Sequence, residues 1–300
     1  MKVDHVLAER IKLATGKQPV ALEPVIGGGY SLALRLKATF SDGQTAFIKV
    51  ATTDDTASFL RTEHHVYASL GSQPFMPEFL GWHDDGTRPI LMLEDLGKAV
   101  WPPPWITARV DAVLNALDLV RRAPKPKGLP KLEEMRSMLN AWQEVADNPT
   151  AFLSTGFCSQ AWLDYALPDL LKAEQEIVLE GNDLLHVDVR SDNLCFPEDS
   201  RAVIVDWNWA SVGNGELDIA AWLPSLQAEG GPKPEAILPN AQAFAAALSG
   251  FFAVHAGLPA PDFAPRVRTV QKQQLGTGLP WVARALGLPK PDGTATELIL

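Results

Sequence analysis

The chain has 300 residues, 46% of them hydrophobic and 21% charged, a composition typical of a globular protein with either two unequal lobes or one large domain. Its formal net charge of −10 argues against binding to nucleic acid or to an anionic membrane. The charge is compatible with a cationic small substrate, although an acidic surface that keeps the protein soluble is the simpler explanation. With only two cysteines and no apolar signal segment at its start, the sequence indicates a cytoplasmic protein, which we expect to be a monomer or a homodimer.

The first third of the sequence predicts a small lobe of antiparallel strands with one main helix. Alternating and β-branched runs around a glycine cluster and a Ser-Asp-Gly turn are typical of a strand meander, and three-to-four apolar spacing is typical of a helix. The expected elements are a helix over 4–15, three strands between Val20 and Ala51, a helix over 56–70 that Gly71 ends, and strands near 78–82 and 90–93.

The composition changes after residue 96, and the WPPPW segment at 101–105 excludes both regular helix and central strand. We therefore place a lobe boundary here, with one lobe over 1–96 and a larger, mostly helical lobe over 97–300. The predicted fold class is α+β. Helices are expected over 106–122, 132–147, 157–180, 217–227, 235–256 and 263–275, with a strand pair at 193–196 and 202–206 and a loosely held tail after Leu288.

Two features of the small lobe suit phosphate binding. The cluster Gly27-Gly28-Gly29-Tyr30-Ser31 lies between predicted strands, where glycines let backbone N–H groups approach a phosphate, although such clusters are commonly plain turns. Lys49 lies in the apolar strand TAFIKVA, so its ammonium needs a partner unless it points to water at the sheet edge. Glu63 on the following helix is the natural partner.

The stretch from Leu184 to Trp207 contains the residues best suited to catalysis. Asp188 is a candidate base, and Asn193 and Asp206 are oxygen ligands suited to Mg²⁺ when a nucleotide supplies the remaining ligands. His186 is expected to pack under the loop and hold its backbone, because the other histidines show no metal-ligand spacing.

Two further charged residues accompany this stretch. Arg190, two residues after the candidate base, suits the neutralisation of charge on a transferred phosphoryl group, although it could also be a surface residue in a polar turn. Asp218 begins a predicted helix and could be a simple cap.

These residues, in this order, resemble the aminoglycoside phosphotransferase and choline-kinase-like family, relatives of the protein kinases, over about residues 20–260. The family's catalytic loop, H-G-D-x-x-x-x-N, corresponds to the run from His186 to Asn193, and its D-W-E and D-[LI]-A motifs correspond to Asp206-Trp207-Asn208 and Asp218-Ile219-Ala220. The resemblance implies a two-lobed protein-kinase-like fold that transfers the γ-phosphate of ATP or GTP, with Mg²⁺, to a hydroxyl of a small molecule.

The resemblance also implies a role for each matched residue. Lys49 would hold the α- and β-phosphates, with Glu63 orienting it, and Asp188 would be the catalytic base. The remaining implied roles are a metal site at Asn193 and Asp206, support of the loop by His186 and Asp218, charge neutralisation by Arg190, and a nucleotide-binding hinge over 91–97 that includes Glu94 and Leu96. Either Met92 or Leu93 would stand beside the purine.

Three departures from the family pattern are present, and none removes a catalytic group. Val187 replaces the usual glycine, Arg190-Ser191 replaces a common His-Pro pair, and Asn208 stands where glutamate is usual. The acceptor implied by the family is an aminoglycoside or other antibiotic, or a primary metabolite such as an aminoalcohol, sugar or amino acid. A non-catalytic nucleotide-binding module and a metal-dependent phosphohydrolase are the competing hypotheses.

Overall fold

The computed structural model describes residues 5–26, 31–198, 201–261 and 264–297. The chain divides into two compact units, each built from several segments. The first unit contains Met1–Pro102, Ala108–Leu129 and Asp192–Ala210, and the second contains Pro103–Thr107, Pro130–Ser191 and Ser211–Leu300. The lobe boundary expected after Leu96 stays a prediction. The first compact unit contains segments from both sides of that residue.

A five-stranded antiparallel sheet in the order β1-β2-β3-β5-β4 is the scaffold of the first unit. Its strands are β1 (Pro19–Pro24), β2 (Leu34–Phe40), β3 (Thr45–Val50), β4 (Phe79–His83) and β5 (Ile90–Glu94). The first three strands form the meander that the sequence predicts. The later pair adds to its edge through β5, so the strand that carries Lys49 is the central one.

The two faces of this sheet differ in chemistry. Ile48 of β3 and Met92 of β5 are cross-strand partners in an apolar cluster that also packs on α1 (His5–Thr15). Because side chains alternate along a strand, Lys49 and Leu93 point to the opposite face. The register thus places Leu93, and not Met92, on the face of the lysine.

The remaining elements of the first unit are α2 (Asp54–Leu70), α3 (Thr107–Arg122) and a hairpin of β7 (Leu194–Cys195) with β8 (Val203–Ile204). The hydroxyl of Thr53 caps α2 by accepting the amide of Thr56, and Gly71 ends the helix with a φ of 63°. The predicted helix over 56–70 and its glycine stop are therefore confirmed.

Helices form most of the second unit, and the central one is α10 (Gln242–Ala256), an alanine-rich helix that is buried along most of its length. Around it lie α5 (Trp142–Asp147), α6 (Thr150–Leu153), α7 (Gln160–Gln175), α8 (Glu216–Ala228) and α11 (Val267–Ala285), with short helices α4 (Arg136–Leu139) and α9 (Pro234–Ile237) and the strand pair β6 (Asp183–Leu185) and β9 (Ser211–Gly213). In the parts of the chain that are described, no helix is long and apolar enough to cross a membrane.

Three predictions for this unit are wrong in detail. The helix expected over 235–256 is interrupted between Ile237 and Gln242, where Asn240 takes a left-handed φ of 61°. The helix expected to stop at residue 275 continues as α11 to Ala285, across two glycines and a proline that the sequence pattern counts as breakers. The described part of the tail is also held, because both carboxylate oxygens of Asp292 accept hydrogen bonds of 2.6 Å from Ser159.

Candidate active site

Lys49 is the centre of a buried charged cluster in the first unit. Its side chain leaves the central strand β3, and the residue is only 6% exposed. The Nζ atom donates to both carboxylate oxygens of Glu63 on α2, at 2.9 and 2.8 Å, and to Oδ1 of Asp206 at 2.8 Å. The predicted ion pair is therefore confirmed, and Asp206 is a second partner that lies 157 residues away in the sequence.

The neighbouring charges in this cluster shift the pKa values of Lys49 and Glu63. Burial alone would lower the pKa of the Lys49 ammonium, but the carboxylates of Asp206 and Glu63 outweigh it, so the pKa lies above its ordinary value. Burial also raises the pKa of Glu63, against the opposing effects of the lysine charge and of a hydrogen bond from the backbone amide of Trp207. The lysine therefore remains charged at neutral pH.

The hairpin of β7 and β8 brings the two predicted metal ligands to one end. Asn193 precedes β7 and Asp206 follows β8, and the Val205 amide donates to the Asn193 carbonyl at 2.9 Å. Asp206 has a φ of 72°, a left-handed conformation that aspartate adopts more readily than most residues. One carboxylate and one amide oxygen are hard ligands that fit Mg²⁺ when substrate phosphates complete its coordination.

The glycine cluster is only partly described by the structure. Gly27, Gly28, Gly29 and Tyr30 lie outside the described residues, so phosphate binding there stays a prediction. Ser31 is described, and both its hydroxyl and its carbonyl oxygen accept hydrogen bonds from the guanidinium of Arg35, at 3.0 and 3.3 Å. Arg35 of β2 thus holds Ser31, the last residue of the glycine cluster, close to the start of that strand.

The segment predicted to be a hinge begins at the end of β5. The Glu94 amide donates to the carbonyl of Glu78 at 2.9 Å, and the Leu96 carbonyl accepts the amide of Ala99 at 3.0 Å in a turn. The binding of a nucleotide base by Glu94 and Leu96 stays a prediction.

In the second unit, the loop after β6 is organised by one buried carboxylate. Asp218, in the first turn of α8, accepts the backbone amides of His186 and Val187 at 2.7 Å each. The buried ring of His186 in turn accepts the Asp188 amide through Nδ1 at 3.2 Å. The loop that carries Asp188 is therefore held by the side chains of Asp218 and His186, the two residues expected to support it.

Asp218 is itself an unusual acid. Burial raises the pKa of its carboxyl to about 7, an effect that the amides of His186 and Val187 oppose and that the charge of Asp188 reinforces. The hydrogen bonds from these two amides join the loop to α8, so loss of the carboxylate should loosen the backbone around Asp188.

Beyond this loop, Arg190 and Ser191 make side-chain contacts of their own. Arg190 donates to Oδ2 of Asp188 at 3.2 Å, so the candidate base is paired with a cation two residues on. The Ser191 hydroxyl donates to Oε1 of Glu229, and the indole Nε1 of Trp105 donates to Oε2 of the same carboxylate at 2.8 Å. Sequence reasoning did not select Glu229 or Trp105, because no local pattern links residues so far apart.

Comparison with known proteins establishes the fold. No family model matches the sequence, and no curated protein matches it significantly. Among solved structures, a spectinomycin phosphotransferase in complex with ADP and spectinomycin is similar over 100% of this chain and 98% of its own, at 12% identity and a TM-score of 0.63. An aminoglycoside phosphotransferase in a ternary complex with ADP and hygromycin B is similar over 100% and 98%, at 15% identity and a TM-score of 0.57.

A third structure, a putative fructosamine-3-kinase from Thermobifida fusca, is similar over 91% of this chain and 98% of its own, at 18% identity and a TM-score of 0.55. The chain has the protein-kinase-like fold of the aminoglycoside phosphotransferases. The α+β fold class predicted from the sequence is thus confirmed, and the aminoglycoside phosphotransferase fold extends over the whole chain and not over the motif-bearing segments alone.

Proposed function

We propose that this protein is a phosphotransferase that moves the γ-phosphate of ATP or GTP to a hydroxyl of a small molecule. The observation that carries the proposal is the cluster of Lys49, Glu63 and Asp206. A buried lysine between two carboxylates is a poor way to stabilise a fold, because apolar residues of similar volume commonly serve as well or better. Its presence on the central strand of a kinase-like sheet favours a functional role.

In this proposal the first unit holds the nucleotide. Lys49 binds the α- and β-phosphates, and Glu63 fixes the position of its ammonium. Asn193 and Asp206 would hold Mg²⁺, which would supply positive charge to the phosphates during transfer. Contact with Lys49 already orients one oxygen of Asp206.

The second unit carries the acid–base chemistry. Asp188 accepts the proton of the acceptor hydroxyl as the oxygen forms a bond to the γ-phosphorus, while the bond from that phosphorus to the β–γ bridging oxygen breaks and ADP or GDP leaves. Arg190, paired with Asp188 at 3.2 Å, holds the carboxylate in position and is placed to neutralise charge on the transferred group.

The acceptor we propose first is an aminoglycoside or another antibiotic, and a primary metabolite such as an aminoalcohol, sugar or amino acid is the alternative. The structurally similar proteins are named for, or bind, chemically diverse compounds: spectinomycin, hygromycin B, macrolides and fructosamine. The net charge of −10 favours a cationic acceptor.

The experiment that tests the function is transfer of labelled phosphate from γ-labelled ATP and GTP, with Mg²⁺, to a panel of aminoglycosides, peptide antibiotics, macrolides, aminoalcohols and sugars. We expect at least one labelled product, and we expect Asp206→Ala to abolish it. Nucleotide binding without transfer to any acceptor would favour the non-catalytic module, and absence of both would refute the proposal.

A further inference from the structure

Glu229 joins two distant parts of the second unit. It lies at the C-terminal end of α8, where the helix gives way to a Gly-Gly turn, and it is partly buried. Each of its carboxylate oxygens accepts a different donor, the Ser191 hydroxyl at Oε1 and the Trp105 indole at Oε2. Ser191 lies three residues after Asp188, and Trp105 closes the WPPPW segment.

The Trp105 side of this contact packs against the core of the second unit. Its ring packs edge-on against Trp222 of α8, with ring centroids 5.3 Å apart and the planes at 64°. Trp222 is fully buried and Trp105 partly buried, so the indole that donates to Glu229 packs against the core. The carboxylate is therefore anchored at one oxygen by the hydrophobic core and offers the other to Ser191.

We propose that Glu229 is a positioning residue that fixes the C-terminal side of the loop bearing Asp188. Asp218 and His186 fix the N-terminal side of this loop, through the amides of residues 186 to 188. The contact of Glu229 with Ser191 fixes the other side, where the backbone must direct Arg190 toward Asp188. The inference rests on the proposed function only for its effect on catalysis.

Variants of these three residues should differ in how many of the two hydrogen bonds they remove. Both donors are neutral, so Glu229→Gln retains the geometry: its amide oxygen accepts from Trp105, and its amide N–H donates to the Ser191 oxygen, since a hydroxyl can reverse its role. Glu229→Ala removes both contacts, whereas Ser191→Ala and Trp105→Phe remove one each. Loss of a hydrogen bond to a charged group changes the equilibrium between the ordered and the disordered loop by roughly tenfold to hundredfold.

The first test is hydrogen–deuterium exchange of the whole chain without ligand, followed in the peptide that spans residues 186–191. Glu229→Ala is expected to speed exchange there by about tenfold or more, Ser191→Ala to do so by a similar factor, and Glu229→Gln to stay near wild type. Glu176→Ala is the matched control, because Glu176 occupies the same C-cap position on α7 but is exposed. Unchanged exchange in both alanine variants at Glu229 and Ser191 would overturn the proposal.

The second test is steady-state transfer of labelled phosphate from ATP to kanamycin, spectinomycin, choline and ribose, and to water in their absence. Glu229→Ala is expected to lower kcat by about tenfold to hundredfold with less than a threefold change in the KM for ATP, and Glu229→Gln to restore most of kcat. A KM effect in place of a kcat effect, or no rescue by glutamine, would contradict positioning. If wild type transfers to none of these acceptors while the exchange result holds, the proposed function fails and the structural role of Glu229 stands.

Discussion

At the scale of single residues, the backbone of Val187 is the most unusual feature of the loop that carries Asp188. Its φ of 71° lies in the left-handed region, where a β-branched side chain is strained. Glycine is the usual residue here in the family that the sequence resembles, and glycine reaches this conformation without strain. Asp218 accepts the amides of His186 and of Val187 itself, and these hydrogen bonds help to hold the valine in this conformation.

The first prediction follows from this strain. Val187→Gly should raise the free energy of unfolding by about 1 kcal/mol, since relief of roughly 1 to 3 kcal/mol of strain exceeds the added entropy of glycine in the unfolded chain. Chemical denaturation monitored by tryptophan fluorescence measures the change.

The matched control is Val189→Gly, two residues on. Val189 is buried and lacks the left-handed backbone, so its replacement should lower the free energy of unfolding by about 3 kcal/mol. A loss of stability in Val187→Gly comparable to that of Val189→Gly would show that the loop does not store the strain argued here.

At the scale of elements, the short helix α5 depends on a carboxylate from another helix. Glu174 of α7 is buried, and its Oε2 accepts the Trp142 amide at 3.0 Å, with further backbone amides of Ala141 and Gln143 near it. These amides begin α5 and have no partner within the helix, so the carboxylate caps it. Burial nevertheless raises the pKa of Glu174 to about 7, because the capping hydrogen bonds only partly compensate for lost hydration.

The second prediction is a dependence of stability on pH that originates at Glu174. An acid whose folded pKa is raised from 4.5 to about 7 favours the folded state fully below about pH 4.5, and this contribution is lost as the pH rises through 7. Between pH 5 and 7 the free energy of unfolding should fall by about 1 kcal/mol per pH unit from this group. Glu174→Gln cannot ionise and should show a shallower slope.

Asp218, whose pKa is also about 7, contributes a similar slope in wild type and in Glu174→Gln alike. The comparison between the two proteins therefore isolates Glu174. Exposed Glu176→Gln should retain the wild-type slope in urea denaturation at pH 5, 6 and 7. An identical slope in Glu174→Gln and Glu176→Gln would refute the assignment.

The sequence predicts the elements that have a local residue pattern. It does not predict the elements that form only through contacts between residues distant in the sequence. The strands β1 to β5 and the helix α2 follow from alternation, from apolar spacing and from Gly71. The pair β6 and β9 joins two three-residue strands that are distant in the sequence, with Asp183 opposite Gly213 at one end and Leu185 opposite Ser211 at the other. Such short strands carry no periodic signal.

The candidate site shows the same division. The sequence predicts the pair of Lys49 and Glu63, because a strand lysine followed by a helix glutamate is a pattern within 14 residues. The third member, Asp206, was selected for its place after an apolar run, but its contact with Lys49 arises from tertiary structure alone. The contacts of Glu229 with Ser191 and Trp105 likewise have no sequence signal, since they join three segments of the second unit.

At the scale of the whole molecule, nucleotide binding should be visible as stabilisation. A ligand that binds only the folded protein adds about 2.7 kcal/mol at a concentration of one hundred times its Kd. In the third prediction, ATP-Mg²⁺ or GTP-Mg²⁺ raises the Tm of wild type by several degrees, and Asp206→Ala removes most of this shift. Differential scanning fluorimetry with and without Mg²⁺ measures the effect.

The variant must be compared by its ligand-induced shift and not by its absolute Tm, because Asp206→Ala also removes a partner of Lys49. Asp55→Ala, at an exposed position in the first turn of α2, is the control and should retain the full shift. If neither nucleotide stabilises wild type, the assignment of Lys49, Asn193 and Asp206 to nucleotide and metal binding is wrong.

The most direct test of the central claim is the rate of labelled phosphate transfer by Asp188→Asn compared with wild type, with ATP-Mg²⁺ affinity measured on both proteins. The asparagine keeps the shape of the side chain and a partner for Arg190 but cannot accept the hydroxyl proton. We predict a loss of roughly 10² to 10⁴-fold in kcat with nearly unchanged nucleotide affinity. Retention of more than about a tenth of the wild-type rate would contradict the role of Asp188 as the catalytic base, since positioned bases contribute at least roughly a hundredfold.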